Sequence, residues 1–324
     1  QSLTEGPEGA SVVQQIWDTA FKKCIPLGAT IELSLGCNLR CTHCYNFDRS
    51  LELAPDPGVP ELSKEEVIGA IDALADAGCL FLSFTGGEVM MHCNLLSFVR
   101  HARDRRFAVK VKTNGTVLTE KTVNGLQEAG ALGVDISIYG ATADTHDSFT
   151  HRAGSFKRTV HGIKTAKAAG MDVTVNISIV KSNAHEVAEM QRMCGEWGVG
   201  IGLNPFITAR YDGTDASDDL TLDREALEAL YRGPLREFIA EPDFDPQRSV
   251  QCACARSNVA IAATGDVYPC IGAPIRCGNV REASFADIWR DSAELRRIRG
   301  LELDDFASCK PCPACPKSPA WAAW

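Results

Sequence analysis

The chain has 324 residues, of which 45% are hydrophobic and 23% charged, and its 42 acidic and 33 basic residues give a net charge of -9. This composition is typical of a soluble globular protein, and the acidic balance argues against nucleic acid or an anionic membrane as the partner. No apolar run reaches the roughly 18 residues of a membrane-spanning helix, and the first twenty residues lack the features of a signal peptide. We therefore expect a cytoplasmic protein.

Strand-like and helix-like segments alternate through the first two-thirds of the chain. Apolar and β-favouring segments predict six strands, at residues 29–35, 80–84, 107–112, 134–139, 171–180 and 199–203. Helices are predicted between them, the first of which begins after Ser63 with a capping box to Glu66. Six such alternations imply parallel strands with right-handed crossovers, in an open sheet or a partly closed barrel. In either case ligands gather beyond the carboxyl ends of the strands.

The pattern changes after residue 210. A helix is predicted over residues 223–240, either continuous or broken at Gly233–Pro234. A β-hairpin is predicted over 258–268 and another helix over 285–299, and the tail from residue 308 is rich in Cys and Pro. The predicted organisation is an N-terminal segment (1–26), an α/β core (27–210), a linker with a helix (211–250) and a small cysteine-rich domain (251–324).

Ten of the fourteen cysteines fall into two groups. The first group is Cys37, Cys41 and Cys44, and the second is Cys252, Cys254, Cys270, Cys277, Cys309, Cys312 and Cys315. Tight groups in a long chain without a signal peptide favour metal ligation in a reducing compartment over structural disulfides. The four isolated cysteines, Cys24, Cys79, Cys93 and Cys194, are interpreted as small buried hydrophobic residues.

The first group, Cys37-Asn-Leu-Arg-Cys41-Thr-His-Cys44, directly follows the first predicted strand. Three thiolates on a four-iron cluster leave one iron without a protein ligand, and that iron can bind a substrate or cofactor. The alternative is a zinc site completed by His43. Because His43 lies between two of the cysteines, its ring is poorly placed for the same ion.

This cysteine spacing, together with Thr85-Gly86-Gly87-Glu88 after the second strand, resembles the signature of the radical S-adenosylmethionine superfamily. The resemblance covers about residues 27–207. It implies a six-stranded parallel (β/α)6 partial TIM barrel within an α/β fold. It also implies a [4Fe-4S] cluster that binds S-adenosylmethionine.

The resemblance also implies cofactor contacts. Gly86, Gly87 and Glu88 would receive the methionine amine, since glycines allow close backbone approach and a carboxylate accepts charge-assisted hydrogen bonds. Further contacts are implied for His43 (against the adenine), Asn114, Ser137 and Arg152. Asn114, Ser137 and Arg152 also have simpler interpretations, as a turn, a strand and a surface residue respectively. Two residues stay open: Tyr45 is core packing or a cofactor contact, and Asp135 is a cap or a substrate contact.

The second group resembles the auxiliary iron–sulfur extension, SPASM or the shorter twitch, of peptide-modifying radical enzymes. The resemblance rests on Cys252, Gly265 and Cys270, with Cys309, Cys312 and Cys315 in the tail. All seven cysteines are candidate ligands of one or two auxiliary clusters, Cys254 and Cys277 being the two that the pattern does not require. Ser318 stands where the longer extension has a further cysteine. The alternative is a zinc ribbon formed by the tail.

The family implies an enzyme, a radical oxidoreductase or peptide maturase similar to pyrroloquinoline quinone biosynthesis enzymes. It would cleave S-adenosylmethionine reductively to a 5′-deoxyadenosyl radical, which takes a hydrogen atom from a ribosomally synthesised peptide. A crosslink or oxidation follows, with an electron passed to an auxiliary cluster. Expected partners are the peptide, a leader-binding protein and an electron donor such as flavodoxin or ferredoxin. The alternatives are a similar enzyme that acts on a small molecule, such as an alcohol or a haem precursor, and a non-catalytic redox sensor.

Overall fold

The computed structural model describes residues 12–49, 58–236, 252–302 and 305. Its strands, in chain order, are β1 (Gly28–Glu32), β2 (Phe81–Thr85), β3 (Ala108–Thr113), β4 (Gly133–Ile138), β5 (Asp172–Ser178), β6 (Gly200–Asn204), β7 (Asn258–Ile261), β8 (Asp266–Tyr268) and β9 (Gly278–Asn279). Its helices are α1 (Val12–Lys23), α2 (Lys64–Asp76), α3 (Leu95–Asp104), α4 (Glu120–Glu128), α5 (Ala143–Thr150), α6 (Ser155–Ala168), α7 (Val187–Trp197), α8 (Ser217–Leu220), α9 (Arg224–Arg232), α10 (Phe285–Asp291) and α11 (Ala293–Arg299).

The first six strands pair in parallel, as the β/α alternation predicts, and lie side by side in chain order. The α/β fold with a parallel sheet is therefore confirmed. The strand count differs from the prediction because the C-terminal hairpin does not form a separate sheet. Strand β7 pairs in parallel with β1, from Gly28 opposite Asn258 to Ile31 opposite Ile261, and β8 and β9 follow antiparallel. The result is one nine-stranded sheet.

The two faces of the sheet differ in polarity. One face carries apolar side chains such as Phe84, Val111 and Ile136, which are fully buried under the helices. The opposite face, set by the alternation of side chains along a strand, carries polar residues such as Lys112 and Asp135. Parallel sheets are usually apolar on both faces because both are covered. A polar face therefore indicates that this side of the sheet borders a binding cavity.

Several helices depart from the prediction. The predicted helix over residues 285–299 is two helices, α10 and α11, because Ser292 adopts an extended conformation (φ -54°, ψ 125°) between them. Helix α9 ends at Arg232 with Gly233 as its C-cap, which agrees with the predicted break at Gly233–Pro234, and residues 237–240 lie outside the described ranges. Helices α1 and α5 were not predicted at all. The capping box of Ser63 with Glu66 is confirmed.

The C-terminal residues share one hydrophobic core with the parallel strands. Val259, Val267, Phe285 and Leu295 belong to the same buried cluster as the residues of β1 to β5. No helix within the described ranges has the length and apolarity needed to cross a membrane. The polar face and the carboxyl ends of β1 to β5 are the parts of this fold that build the site.

Candidate active site and metal centres

The loop after β1 turns its three cysteines toward one cavity. Cys37, Cys41 and Cys44 all line a cavity of about 250 Å³ at the carboxyl ends of the strands. Arg49 lies against them, and its Nε donates a hydrogen bond to Cys44 Sγ at 2.9 Å. Burial raises the pKa of the Cys37 and Cys41 thiols, and the Arg49 guanidinium opposes this rise. The donor set, three thiols and one neighbouring cation, fits an iron–sulfur cluster with one iron left free of side chains.

The cysteine loop is held from the side by helix α5, which sequence reasoning missed. The Arg40 and Thr42 amides donate to the Thr150 and Phe149 carbonyls at 3.0 and 3.1 Å. From the loop that follows β6, the Arg210 side chain donates to the Thr42 and Cys44 carbonyls, both at 3.1 Å. The positions of the thiols are therefore fixed by elements far apart in the sequence.

Gly86 and Gly87 hold the start of the cysteine loop. The Gly87 amide donates to Ser34 O at 2.6 Å, and the Glu88 amide donates to Gly36 O at 2.8 Å. A Cβ atom on Gly87 would lie 1.9 Å from Gly36 O, and Gly86 has a φ of +137°. Only glycine permits this approach. Both glycines also line the cavity.

Glu88 lies behind the cavity wall instead of lining it. Its side chain is buried and accepts hydrogen bonds from Thr113 Oγ1 at 2.5 Å, the Asn114 amide at 2.8 Å and the Met90 amide at 3.0 Å. Burial raises the pKa of this carboxyl, while these donors oppose the rise. In this structure Glu88 therefore fixes the ends of β2 and β3, and its expected contact with an amine stays a prediction.

The structure places most of the predicted cluster ligands and cofactor contacts at this cavity. Those that line it are Cys37, Cys41, His43, Cys44, Gly86, Gly87, Asn114 and Ser137. Glu88 and Arg152 are the two exceptions: Glu88 is buried behind the cavity wall, and Arg152 is exposed after α5. The structure does not bring Arg152 to the site.

His43 is buried between aromatic rings. Its ring centroid lies 4.8 Å from those of Tyr139 and Phe149, and burial lowers its pKa to about 4, so the ring is neutral at pH 7. Among the described residues its Nδ1 has no hydrogen-bond partner. This nitrogen can therefore form a hydrogen bond with a group bound in the cavity, which His43 lines.

Of the two zinc alternatives, the ribbon formed by the tail lies outside the described residues, and the site completed by His43 finds no support within them. Within them, no group of three His, Cys, Asp or Glu side chains is arranged to hold a single metal ion. The ring of His43 packs against aromatic residues and does not join the three thiols.

A second group of thiols lies in the C-terminal domain. Cys254 Sγ is 2.7 Å from Cys270 Sγ, and a hydrogen bond from Cys254 lowers the pKa of Cys252 to about 6. Cys277 has other neighbours: its thiol donates to Ile275 O at 3.3 Å and faces Ser292 and Glu294. Cys309, Cys312 and Cys315 lie outside the described residues.

Three tyrosines connect the two thiol groups. Tyr45, next to Cys44, packs edge-to-face on Tyr211 with centroids 5.6 Å apart, and Tyr211 stacks on Tyr268 at 4.2 Å. Tyr268 lies two residues before Cys270. Ile271, next to Cys270, lines the same cavity as Cys37. The second thiol group therefore borders the site of the first.

Sequence reasoning missed Glu32, Arg49 and Lys112. Glu32 ends β1, is completely buried and accepts a hydrogen bond from Tyr45 Oη at 2.6 Å. Burial raises its pKa to about 7. The sequence signal that could have identified Glu32 is a carboxyl group within an apolar strand. Lys112 carried a similar signal, as a cation within the apolar segment of β3.

Comparisons with known proteins agree with this geometry. The family model described as the Radical SAM superfamily matches residues 31–194, and the model of an iron–sulfur cluster-binding domain, SPASM, matches residues 252–316. The chain is 27% identical to an AdoMet-dependent heme synthase of Methanosarcina barkeri, over 84% of either chain. It is 28% identical to a PqqA peptide cyclase of Methylocella silvestris, over 89% of this chain and 80% of that one.

Among solved structures, Streptococcus suis SuiB bound to its precursor peptide SuiA superposes with a TM-score of 0.66. The two chains are 17% identical, and the match covers 92% of this chain and 75% of SuiB. At that identity the likeness concerns the fold. Together with the family matches, these findings confirm the resemblance drawn from the cysteine spacing and the Gly-Gly-Glu loop. The chain belongs to the radical SAM superfamily: it is an iron–sulfur enzyme that uses S-adenosylmethionine and carries a C-terminal SPASM domain.

Proposed function

We propose that this enzyme abstracts a hydrogen atom from a ribosomally synthesised peptide and thereby installs a crosslink or an oxidation. The observation that carries the proposal is that Cys37 and Ile271 line one cavity. A substrate held there would lie between the three-cysteine loop and the thiols at Cys254 and Cys270. This arrangement suits an oxidation in which the substrate loses one hydrogen atom and one further electron.

The peptide class is supported by the relatives. One is named a PqqA peptide cyclase and matches 89% of this chain. A second candidate, a haem precursor or another small molecule, is supported by the heme synthase, which matches 84% of either chain. Both candidates share the hydrogen abstraction and differ in the substrate.

We assign different groups of residues to the cluster, to the auxiliary cluster and to S-adenosylmethionine. In our assignment Cys37, Cys41 and Cys44 hold the cluster, and Cys252, Cys254 and Cys270 contribute to one auxiliary cluster. His43, Gly86, Gly87, Asn114 and Ser137 are assigned to S-adenosylmethionine. When bound, the reduced cluster and S-adenosylmethionine supply the hydrogen-abstracting radical.

Other residues support these contacts. Glu88 keeps Thr113 and Asn114 in position through its hydrogen bonds. The apolar rings of Tyr139 and Phe149 exclude water from one side of the cavity. We also propose flavodoxin or ferredoxin as the electron donor and a separate leader-binding protein as a partner.

The test is incubation of the anaerobically reconstituted, reduced enzyme with two kinds of substrate. One set contains the short peptides encoded beside its gene, and the other contains a propionate-bearing porphyrin. Mass spectrometry should detect loss of hydrogen from a peptide, together with 5′-deoxyadenosine. Conversion of the porphyrin with no change in any peptide would replace our proposal with the second candidate.

A further inference from the structure

Helix α6 and the turn before it present an exposed basic surface. Residues 148–171 contain no Asp or Glu, although the whole chain has a net charge of -9. The exposed cations of this segment are Arg152, Lys157, Arg158, Lys164 and Lys167. Residues seven positions apart lie on the same side of a helix, so Lys157 and Lys164 point in the same direction, with Arg158 beside them. We call Lys157, Arg158 and Lys164 the basic face of α6.

The charge of the basic face is not neutralised by contact with a carboxylate. Arg158 donates a hydrogen bond to the Ala153 carbonyl at 3.4 Å, and Lys164 Nζ lies 6.0 Å from the ring centroid of Trp197. None of the three cations forms an ion pair with any other described residue. By contrast, the arginines of α7 and α9 are paired with glutamates of the same helix. The basic face therefore remains available to a partner of opposite charge.

The basic face begins beside the three-cysteine loop. At the turn before α6, His151 Nε2 lies 3.3 Å from the Oγ1 of Thr42, and Thr42 directly follows Cys41. The Arg40 amide donates to the Thr150 carbonyl at 3.0 Å, and the Arg40 side chain is exposed. A protein that covers the start of α6 would therefore also cover the loop that we assign to the cluster.

The sheet separates α6 from the cavity. Ile163 and Ala166 of α6 are buried in the same apolar cluster as Val111 of β3, whereas Lys112 of β3 and Ser137 of β4 line the cavity from the opposite face. A substrate has to enter the cavity, but an electron can cross a short stretch of protein. The position of the basic face, outside the sheet and next to the cysteine loop, therefore suits an electron donor better than a substrate.

We propose that the basic face of α6, together with Arg40 and Arg152, is the docking surface for an acidic one-electron carrier protein, a flavodoxin or a ferredoxin. This inference rests on the proposed electron donor and is independent of the substrate. The carrier gives up one electron, the cluster accepts it, and no bond or proton passes between the two proteins. Electron-transfer partners bury little surface, and opposite charges raise the rate at which such partners associate.

The test measures binding of an acidic flavodoxin and of an acidic ferredoxin to the reconstituted full chain by anaerobic biolayer interferometry, at low and at high salt. The variant Lys157→Glu/Arg158→Glu reverses two exposed charges in the first turn of α6. The matched control, Lys22→Glu/Lys23→Glu, reverses two exposed charges in the last turn of α1, which packs against the amino end of β2.

We expect the wild-type enzyme to bind at least one carrier and to lose affinity as salt rises, because salt screens exposed charges. At low salt Lys157→Glu/Arg158→Glu should weaken binding by about tenfold, whereas the control should change it by less than about twofold. With dithionite, which needs no docking surface, both variants should form 5′-deoxyadenosine at the wild-type rate. That rate and the circular dichroism spectrum verify that each variant is folded.

Zero-length crosslinking locates the contact. A carbodiimide joins lysine amines to carboxylates that touch them, and mass spectrometry identifies the joined residues. Lys157 or Lys164 should be attached to the carrier, whereas Lys22 and Lys23 should not.

The proposal is overturned if neither carrier binds the wild-type enzyme at low salt, if the two double variants lose affinity equally, or if the crosslinks lie away from α6. It is also wrong if Lys157→Glu/Arg158→Glu loses affinity for an acidic peptide but for neither carrier, since the basic face would then bind the substrate. Failure of the peptide function is recognised separately, because it would leave carrier binding and its dependence on Lys157 and Arg158 unchanged.

Discussion

At the scale of single residues, Glu32 is a buried carboxyl group that supports the cysteine loop. It is completely buried at the end of β1, and Tyr45, beside Cys44, donates a hydrogen bond to it. A buried carboxyl group is easier to keep protonated than ionised, which is why its pKa rises. The sequence shows an acidic residue within an apolar strand, but it does not predict that its hydrogen-bond partner is Tyr45.

Glu32 should make stability depend on pH. Its pKa is raised from 4.5 to about 7, so between those values the folded chain keeps a proton that the unfolded chain releases. The free energy of unfolding therefore falls as pH rises through this window and levels off above it, by about 3 kcal/mol in total. Urea unfolding of Glu32→Gln should lack this fall, whereas the exposed Glu65→Gln should retain it. An unchanged pH profile in Glu32→Gln would contradict the assignment.

Gly87→Ala should damage the cysteine loop. The added methyl group would lie 1.9 Å from Gly36 O, next to Cys37. We expect a loss of about 3 kcal/mol in unfolding free energy, together with loss of cluster iron, because backbone atoms would have to move. Thermal unfolding and iron analysis measure both effects.

Gly69→Ala is the control for this change. Gly69 lies within α2, with open space where a Cβ would be added. Alanine there should stabilise the protein by about 0.5 to 1 kcal/mol and leave the iron content unchanged. If Gly87→Ala behaved in the same way, the close contact with Gly36 would be unimportant.

At the scale of elements, short sequence patterns predicted the strands and helix ends that depend on neighbouring residues. The six parallel strands follow from apolar segments separated by helices, and Ser63 and Glu66 predicted the start of α2. Helix α5 was missed because most of its residues are polar, and it is stabilised by packing beside the cysteine loop. The break at Ser292 has no glycine or proline to announce it.

In the C-terminal domain, the structure distinguishes Cys254 from Cys277, whereas the sequence could not say which of the two is the better candidate for a cluster ligand. Cys254 contacts Cys270, whereas Cys277 faces Ser292 and Glu294. We therefore expect Cys254→Ser to lose about four irons per chain and Cys277→Ser to lose none. Anaerobic iron and sulfide analysis of the reconstituted variants makes the comparison. Equal losses in both variants would mean that the two thiols serve the same cluster.

At the scale of the whole molecule, the core and the SPASM domain share one sheet and one hydrophobic core. The sequence predicted two domains because the composition changes after residue 210. It could not predict that β7 pairs with β1, since pairing between distant segments leaves no local pattern. Arg281 adds a further link, with Nε and Nη2 on the Glu66 carboxylate at 2.5 and 2.9 Å.

This shared sheet predicts cooperative folding. A chain that ends at residue 236 would expose the edge of β1 and lose Val259, Val267, Phe285 and Leu295 from the core. We expect it to aggregate or remain unfolded, because unpaired edges and lost apolar burial both disfavour the folded state. The full chain should unfold in one transition by circular dichroism. A soluble truncated chain that binds S-adenosylmethionine would contradict this expectation.

The central claim is that Cys37, Cys41 and Cys44 hold a cluster with one iron open to S-adenosylmethionine. The most direct measurement is the yield of 5′-deoxyadenosine after anaerobic reduction of wild-type enzyme, Cys41→Ala and the control Cys93→Ala. Cys93 was predicted to be buried, but it is exposed and does not line the cavity. We predict that wild type and Cys93→Ala cleave S-adenosylmethionine and that Cys41→Ala does not. Cleavage by Cys41→Ala at the wild-type rate would contradict the claim.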